Sequence, residues 1–320
     1  MTDTSATIEP SDPAAQGGVR AWLQLVRLPA VFTALADIAA GYTCQTGAFQ
    51  PVGEFAALLT ASASLYLAGM VFNDVFDRRR DAIGRPGRPI PSGRISTKSA
   101  AIVGAVLVAI GIASAASVSS QALWIALGLT AGIFAYDGFL KHTPLGPVAM
   151  GGCRFLNVML GAAGDDGAAF VWEPPQLIVA AAIGIYVAGI TWFARTEETT
   201  SRRGLLLGGA AVANLGMALL ACLYYGWPPA LTGFVRGDLP GTAVAIIVVA
   251  IALTVNRRVA GAISSPTPDR VQDTVKLMLL SIITLDATTV LAQTGDVSLA
   301  LATALLVLPA LVIGRWVYVT

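Results

Sequence analysis

Ten apolar stretches leave this chain of 320 residues one kind of fold: near 21–44, 54–74, 99–117, 121–138, 146–164, 175–194, 204–225, 239–256, 273–293 and 297–318. A run of roughly 20 apolar residues matches the hydrocarbon core of a bilayer, where a helix satisfies every backbone polar group within its own segment. With 55% apolar and 12% charged residues, the chain has too little polar surface for a soluble domain of this length. The sequence therefore predicts an all-α integral membrane protein. Residues 1–18, rich in Ala, Pro, Thr, Ser and Asp, read as a disordered tail, and without a basic leading region they are not a signal peptide. Residues 19–320 read as one transmembrane domain.

The basic residues give the stretches an orientation. If the N-terminus is cytoplasmic, Arg20, Arg27, the seven from Arg78 to Lys98, Lys141, Arg154, Arg195, Arg202, Arg203, Arg257, Arg258, Arg270, Lys276 and Arg315 fall at inside ends and loops. Only Arg236 is left outside, so 19 of 20 share one side, as the positive-inside rule requires. Ten spans with both termini inside follow, with Lys98, Lys141 and Arg203 cytoplasmic and Asp166 and Gly237 external. The expected setting is a bacterial cell membrane with polar chemistry at its cytoplasmic face. The cysteines, Cys44, Cys153 and Cys222, have no metal-ligand spacing and read as packing residues; His142 is the single histidine, which excludes a histidine-based metal site. No nucleic-acid partner is expected, and membrane lipids are.

Chemistry concentrates in Asn73–Ser96, NDVFDRRRDAIGRPGRPIPSGRIS, directly behind the second stretch. Asn73, Asp77 and Asp81 recur every four residues, so on a helix each step drifts by about 40° and the three share a face, with Asp74 about 100° round. Carboxylate and amide oxygens suit Mg²⁺, which is usually held by one or two carboxylates, substrate phosphates and retained waters. The arginines that follow can fork onto a diphosphate. The bland alternative is a solvated charge run at the membrane surface.

The order Asn-Asp-x-x-Asp-x-x-x-Asp, then Arg88, Pro89, Pro91, Ser92 and Gly93 as RPIPSG, resembles the first aspartate-rich motif of the UbiA family of intramembrane prenyltransferases. The likeness continues from RLPAVFTALADIAAGY, through YDGFLK with Tyr136 and Lys141, to CRFLNVMLG. Within the family, ARTEE and VQDTVKLMLLSIITLDA are most similar to the EboC branch. The resemblance implies a bundle of nine or ten helices around a central cavity open to the cytoplasmic side; nine is usual, so ten would be a departure. It also implies Mg²⁺-dependent transfer from a prenyl diphosphate to a small acceptor, with Asn73, Asp77, Asp81 and Glu197 as metal ligands and Asp74 and Arg88 beside them. The family's second acidic motif corresponds here to Ile190-Thr-Trp-Phe-Ala-Arg-Thr-Glu197-Glu198. Its leading acid is missing, Glu197 stands for a later one, and Glu198 lies about 100° away.

Lys141, Tyr136 and Arg154 are expected to face the diphosphate, because ionising an allylic diphosphate requires cations already in place. A snorkelling Arg154 is the structural alternative. Asn157, one turn on, reads as a partner for a neighbouring helix beside the same substrate. Asp37 and Asp286 lie about 22 Å and 20 Å along their spans by helix rise. Intramembrane carboxylates are functional candidates by default, here for the acceptor half of the cavity, with a protonated structural acid as the alternative. The implied acceptor is aromatic or hydroxyl-rich and cyclitol-like. Two rivals stand beside the enzyme: a degenerate relative that binds lipid or acts as a scaffold, motivated by the lost acid at Ile190, and a secondary transporter using Asp37, Arg154 and Asp286.

Overall fold

The computed structural model describes residues 18–164, 173–227, 229, 233–236 and 239–317. Among these every regular element is helical. The tail over residues 1–17 and the expected external points Asp166 and Gly237 lie outside the described residues.

The first apolar stretch is a broken helix. α1 (Val19–Leu25) and α2 (Val31–Thr46) flank a 3-10 turn at Leu28–Ala30, and the two arms meet at 49°. Arg27 marks the break with φ 46°, in the left-handed region that costs a non-glycine residue about 1–3 kcal/mol, and Pro29 follows. α3 (Val52–Gly84) is 33 residues long, about 50 Å by helix rise, so it carries its acidic end beyond the apolar part of the same helix. α4 (Thr97–Ala116) and α5 (Ser120–Ala135) begin at Ser96 and Ser119, whose hydroxyls accept from backbone N–H groups of the first turn. α5 runs into a π-helical turn, Tyr136–Leu140, a geometry frequent at functional sites.

α6 (Gly146–Gly161), α7 (Pro174–Phe193), α8 (Arg203–Tyr225), α9 (Gly241–Ser264) and α10 (Pro268–Thr294) complete the main bundle, before α11 (Val297–Ala304) and α12 (Val307–Val317). Glycines at left-handed φ, Gly47 at 72° and Gly295 at 66°, stop α2 and α10.

Loop contacts show that the traverses alternate. At one end Arg85 pairs with Glu198, Arg195 donates to the Thr143 carbonyl at 3.0 Å, and Ser201 N–H to the Pro266 carbonyl at 3.2 Å. At the other, the Tyr42 hydroxyl donates to Pro51 O at 3.1 Å, Ser119 to Ala163 O at 2.7 Å, and Arg236 N–H to Ala292 O at 2.7 Å. α12 packs on the Leu28–Ala30 turn, so the chain returns to the first, basic end after ten traverses. Eight of these are individually long and apolar enough to span, and the bent α1–α2 pair makes nine. The remaining traverse is α6, whose 16 residues extend about 24 Å, short of the roughly 30 Å core. It packs among α2, α5 and α7.

α2 and α6 cross closely. A Cβ added at Gly161 would stand 2.6 Å from the Ile38 carbonyl, so only glycine permits this approach. The crossing brings Asp37 on α2 against Arg154 and Asn157 on α6.

Candidate active site

The acidic end of α3 splits into two pairs. Lys141 Nζ donates to Asn73 Oδ1 at 2.9 Å and to Asp77 Oδ2 at 2.7 Å. Arg88 Nη1 donates to Asp81 Oδ2 at 2.6 Å and, at 3.3 Å, to Asp74 Oδ1, which also accepts from Arg27 Nη2 at 3.0 Å. The expectation that Asn73, Asp77 and Asp81 form one group, with Asp74 apart, is thus corrected. Four-residue steps accumulate to about 80° between Asn73 and Asp81, whereas the seven residues from Asp74 to Asp81 close to within about 20°.

The π turn is what delivers Lys141: it carries Tyr136 and Asp137 to the α3 acids and sets Lys141 Nζ 4.0 Å from Asp137 Oδ1. Asp137 is buried, and neither composition nor spacing had singled it out, although it lies between two residues that had been. His142 follows, its Nε2 3.8 Å from Asp77 Oδ1; burial and the nearby Arg80 and Lys141 hold its imidazole below the ordinary range. Arg27 is the other functional candidate that sequence reasoning counted only as an inside charge.

Glu197 and Glu198 follow the 3-10 turn Ala194–Thr196 at the same basic end. Glu198 is exposed and paired with Arg85. Glu197 is half-buried and makes no contact with the α3 carboxylates; desolvation pushes its carboxyl above the ordinary glutamate range, with Arg85, Lys276 and Arg27 pulling the other way. The two acidic segments are therefore joined through Arg85 and Arg27, which act electrostatically on both.

A cavity of about 180 Å³ runs inward from this rim between α2, α3, α5 and α6. Arg27, Asn73, Tyr136 and Asp137 line its rim end; Ser62, Tyr66, Arg154 and Asn157 line its deep end. Ser62 and Asn73 lie on α3 about 16 Å apart by rise. Between them the wall is apolar, with Met70, Leu129 and Ile133. Cys153 also lines the cavity, where it had been expected only to pack.

Arg154 lies at the deep end of the cavity, away from the rim. It is 7% exposed, donates from Nη1 to Asp37 Oδ2 at 2.8 Å and from Nη2 to Thr33 Oγ1 at 2.7 Å, and stacks over Tyr66 with 5.6 Å to the ring centroid. A buried guanidinium requires its carboxylate close by, and Asp37 is that carboxylate. Asn157 Nδ2 donates to Asp37 Oδ2 at 2.8 Å and to Ala34 O at 2.9 Å, while its Oδ1 accepts from Ser62 at 2.8 Å, which makes it a cross-helix connector as expected. Asp37 and Asp286 are both 0% exposed and stand behind Arg154 and Asn157, outside the cavity lining.

This bundle sinks a largely apolar cavity below a rim of acids, amide and arginines. The chain belongs to the UbiA prenyltransferase family, whose model matches residues 31–280. Among curated relatives, the digeranylgeranylglyceryl phosphate synthase of Methanopyrus kandleri is 33% identical over 133 residues, 40% of this chain and 46% of that protein. That of Methanosarcina barkeri is 34% identical over 160 residues, 45% of this chain and 54% of that protein. The chain spans about half the length of the curated relatives it matches. Among solved structures, a UbiA homologue from Aeropyrum pernix superposes with TM-score 0.61 at 20% identity, covering 89% of this chain and 98% of that one. One from Archaeoglobus fulgidus, bound to GPP and Mg²⁺, gives 0.57 at 16%, covering 89% and 99%. At these identities the likeness is one of fold.

Proposed function

We propose that the chain transfers a prenyl group from an allylic prenyl diphosphate to a small acceptor, with Mg²⁺ as cofactor. The observation that carries this reading is the convergence of Asn73 Oδ1 and Asp77 Oδ2 on one cation, the Lys141 ammonium, at the rim of an intramembrane cavity. The donor atoms are hard oxygens of the kind Mg²⁺ takes, and since among the described residues no three acids, cysteines or histidines form a complete site, the ion would need phosphate oxygens and water as further ligands. An open site of this kind leaves coordination positions for phosphate and water. Asn73 and Asp77 would hold the ion, with Asp81, Asp74 and Glu197 as the further acids in reach of the same rim. The bound ion would offset the diphosphate charge that grows as the C–O bond breaks.

The other steps fall to the chain's own residues. Lys141, Arg27 and Arg88, held in place by the acids, are the cations available to the departing diphosphate, which leaves with the electron pair of the broken bond. Glu198 tethers Arg85 beside them, and Tyr136 closes the rim. The apolar wall shelters the allylic cation from water until the acceptor's electron pair forms the new bond and the acceptor releases its proton, which leaves with the diphosphate or to solvent at the rim. Homologues are named for a glyceryl phosphate product or bind GPP. Here the acceptor is taken to be aromatic or hydroxyl-rich; the finer likeness to the EboC branch rests on the two segments quoted above. The basic end is placed at the cytoplasmic face of a cell membrane, on the asymmetry of Lys and Arg. The bacterial setting belongs to the same proposal; the relatives named above are archaeal.

The test is to incubate purified membranes with labelled geranylgeranyl diphosphate, Mg²⁺ and cell extract, then identify the labelled lipid and measure released diphosphate. Labelled product that disappears with EDTA and returns with Mg²⁺ is expected. Binding of the diphosphate with no release would favour the non-catalytic relative, and movement of an unmodified solute would favour the transporter.

A further inference from the structure

Behind the deep end of the cavity, three carboxylate oxygens are buried with no hydrogen-bond partner: Asp37 Oδ1, Asp286 Oδ1 and Asp286 Oδ2. The two carboxyls come from α2 and α10, which pack against each other, and act on one another electrostatically. Two such groups cannot accept from one another unless a proton lies between them. Both are 0% exposed, and a single cation, Arg154, serves the pair. The other titratable groups in electrostatic reach are Tyr66 on α3, Cys44 on α2 and Tyr224 on α8. All three are neutral in their ordinary forms, so they add no positive charge. Two buried carboxylates facing one guanidinium would leave a net negative charge in a low-dielectric interior, which is strongly unfavourable.

We infer that Asp37 and Asp286 hold one proton between them, and that this carboxyl pair fixes the Arg154 guanidinium as a hydrogen-bond donor at the deep end of the cavity, facing an oxygen of the acceptor. Asp37 Oδ2 takes two donors, Arg154 Nη1 and Asn157 Nδ2, so its remaining oxygen, Oδ1, is the one left for the proton shared with Asp286. Arg154 uses two of its five N–H groups on Asp37 and Thr33, which leaves donors for a ligand in the cavity that it lines. Counted together, Arg154, the two carboxylates and one shared proton are neutral, so the site offers donors without net charge. It suits a hydroxyl or carbonyl oxygen. Asp37 and Asp286 are positioning residues in this scheme and touch no substrate.

The acceptor half of the inference rests on the proposed transfer; the proton half does not. Infrared spectra of the purified protein at neutral pH should contain the carbonyl stretch of a protonated carboxylic acid, and Asp286→Asn should lose it. An amide at 286 can still donate to Asp37 Oδ1, so Asp286→Asn should keep the half-saturating amount of the acceptor-containing extract within about threefold of wild type. Asp37→Asn, which removes the charge that holds Arg154, should raise that amount roughly 10- to 150-fold and leave half-saturation by geranylgeranyl diphosphate unchanged. Absence of the acid band in the wild type would overturn the shared proton, as would stabilisation by sodium in its place. An Asp286→Asn shift as large as that of Asp37→Asn would overturn the positioning scheme. If Asp37→Asn does not fold, the band and the Asp286→Asn titration still decide. If the wild type labels no lipid, the transfer reading has failed and the infrared result stands alone.

Discussion

Lys141 and the two groups it bridges make the sharpest case at the scale of single residues. Asp77→Asn changes charge and little volume at a partly exposed helix end, so the protein should remain folded. Its turnover should fall at least about 100-fold, the loss typical when one strong electrostatic contact to a transition state is removed. Wild-type turnover by a folded Asp77→Asn protein would end the metal-ligand assignment. Glu197 gives a pH test. Its folded-state carboxyl titrates above the ordinary range because burial disfavours the charge. Ionising it therefore costs stability: the contribution is favourable below the usual glutamate value of about 4.3 and is lost as pH rises through the raised folded value. Glu197→Gln should accordingly gain thermal stability relative to wild type as pH climbs through that window. A difference that shrinks with rising pH would mean that Arg85 and Lys276 outweigh burial.

Among elements, the α2–α6 crossing and the π turn position the chemistry. The crossing depends on Gly161, whose missing side chain lets the α6 backbone approach Ile38. Gly161→Val should cost about 1–3 kcal/mol by overpacking and should also weaken acceptor use, because it separates Asp37 from Arg154. On the same helix Gly152 has nothing within 4 Å of an added Cβ, so Gly152→Ala is the control and should be neutral in a thermal melt. Equal losses from the two substitutions would show that helix propensity, not the close approach, sets the effect. The π turn matters differently. By widening the end of α5 it brings Asp137 and Lys141 to the α3 acids together, and their separation by four residues gives no hint of that destination.

For the whole molecule, ten alternating traverses predict that a reporter at residue 320 reads on the same side as reporters after Lys98, Lys141 and Arg203. Opposite readings at 98 and 320 would remove one traverse, and the reporter after Arg203 would show whether the loss falls before or after α8. Much of this plan was legible in the sequence. Apolar run length specified a helical membrane bundle, because a bilayer leaves the backbone no other way to satisfy its hydrogen bonds over such segments. The bias of Lys and Arg picked out the basic end, and the Asn73–Asp81 spacing marked the helix that bears the acids. What the sequence could not supply was partnership across helices. Arg154 reads as a diphosphate contact until α2 is seen to place Asp37 against it; Asp74 reads as standing about 100° from the shared acidic face until Arg88 is seen to join it to Asp81. Local spacing fixes the face on which a side chain emerges, since helix geometry is set residue by residue. Which opposite charge a buried group meets depends on packing between segments as many as 117 residues apart, and only the tertiary structure decides that.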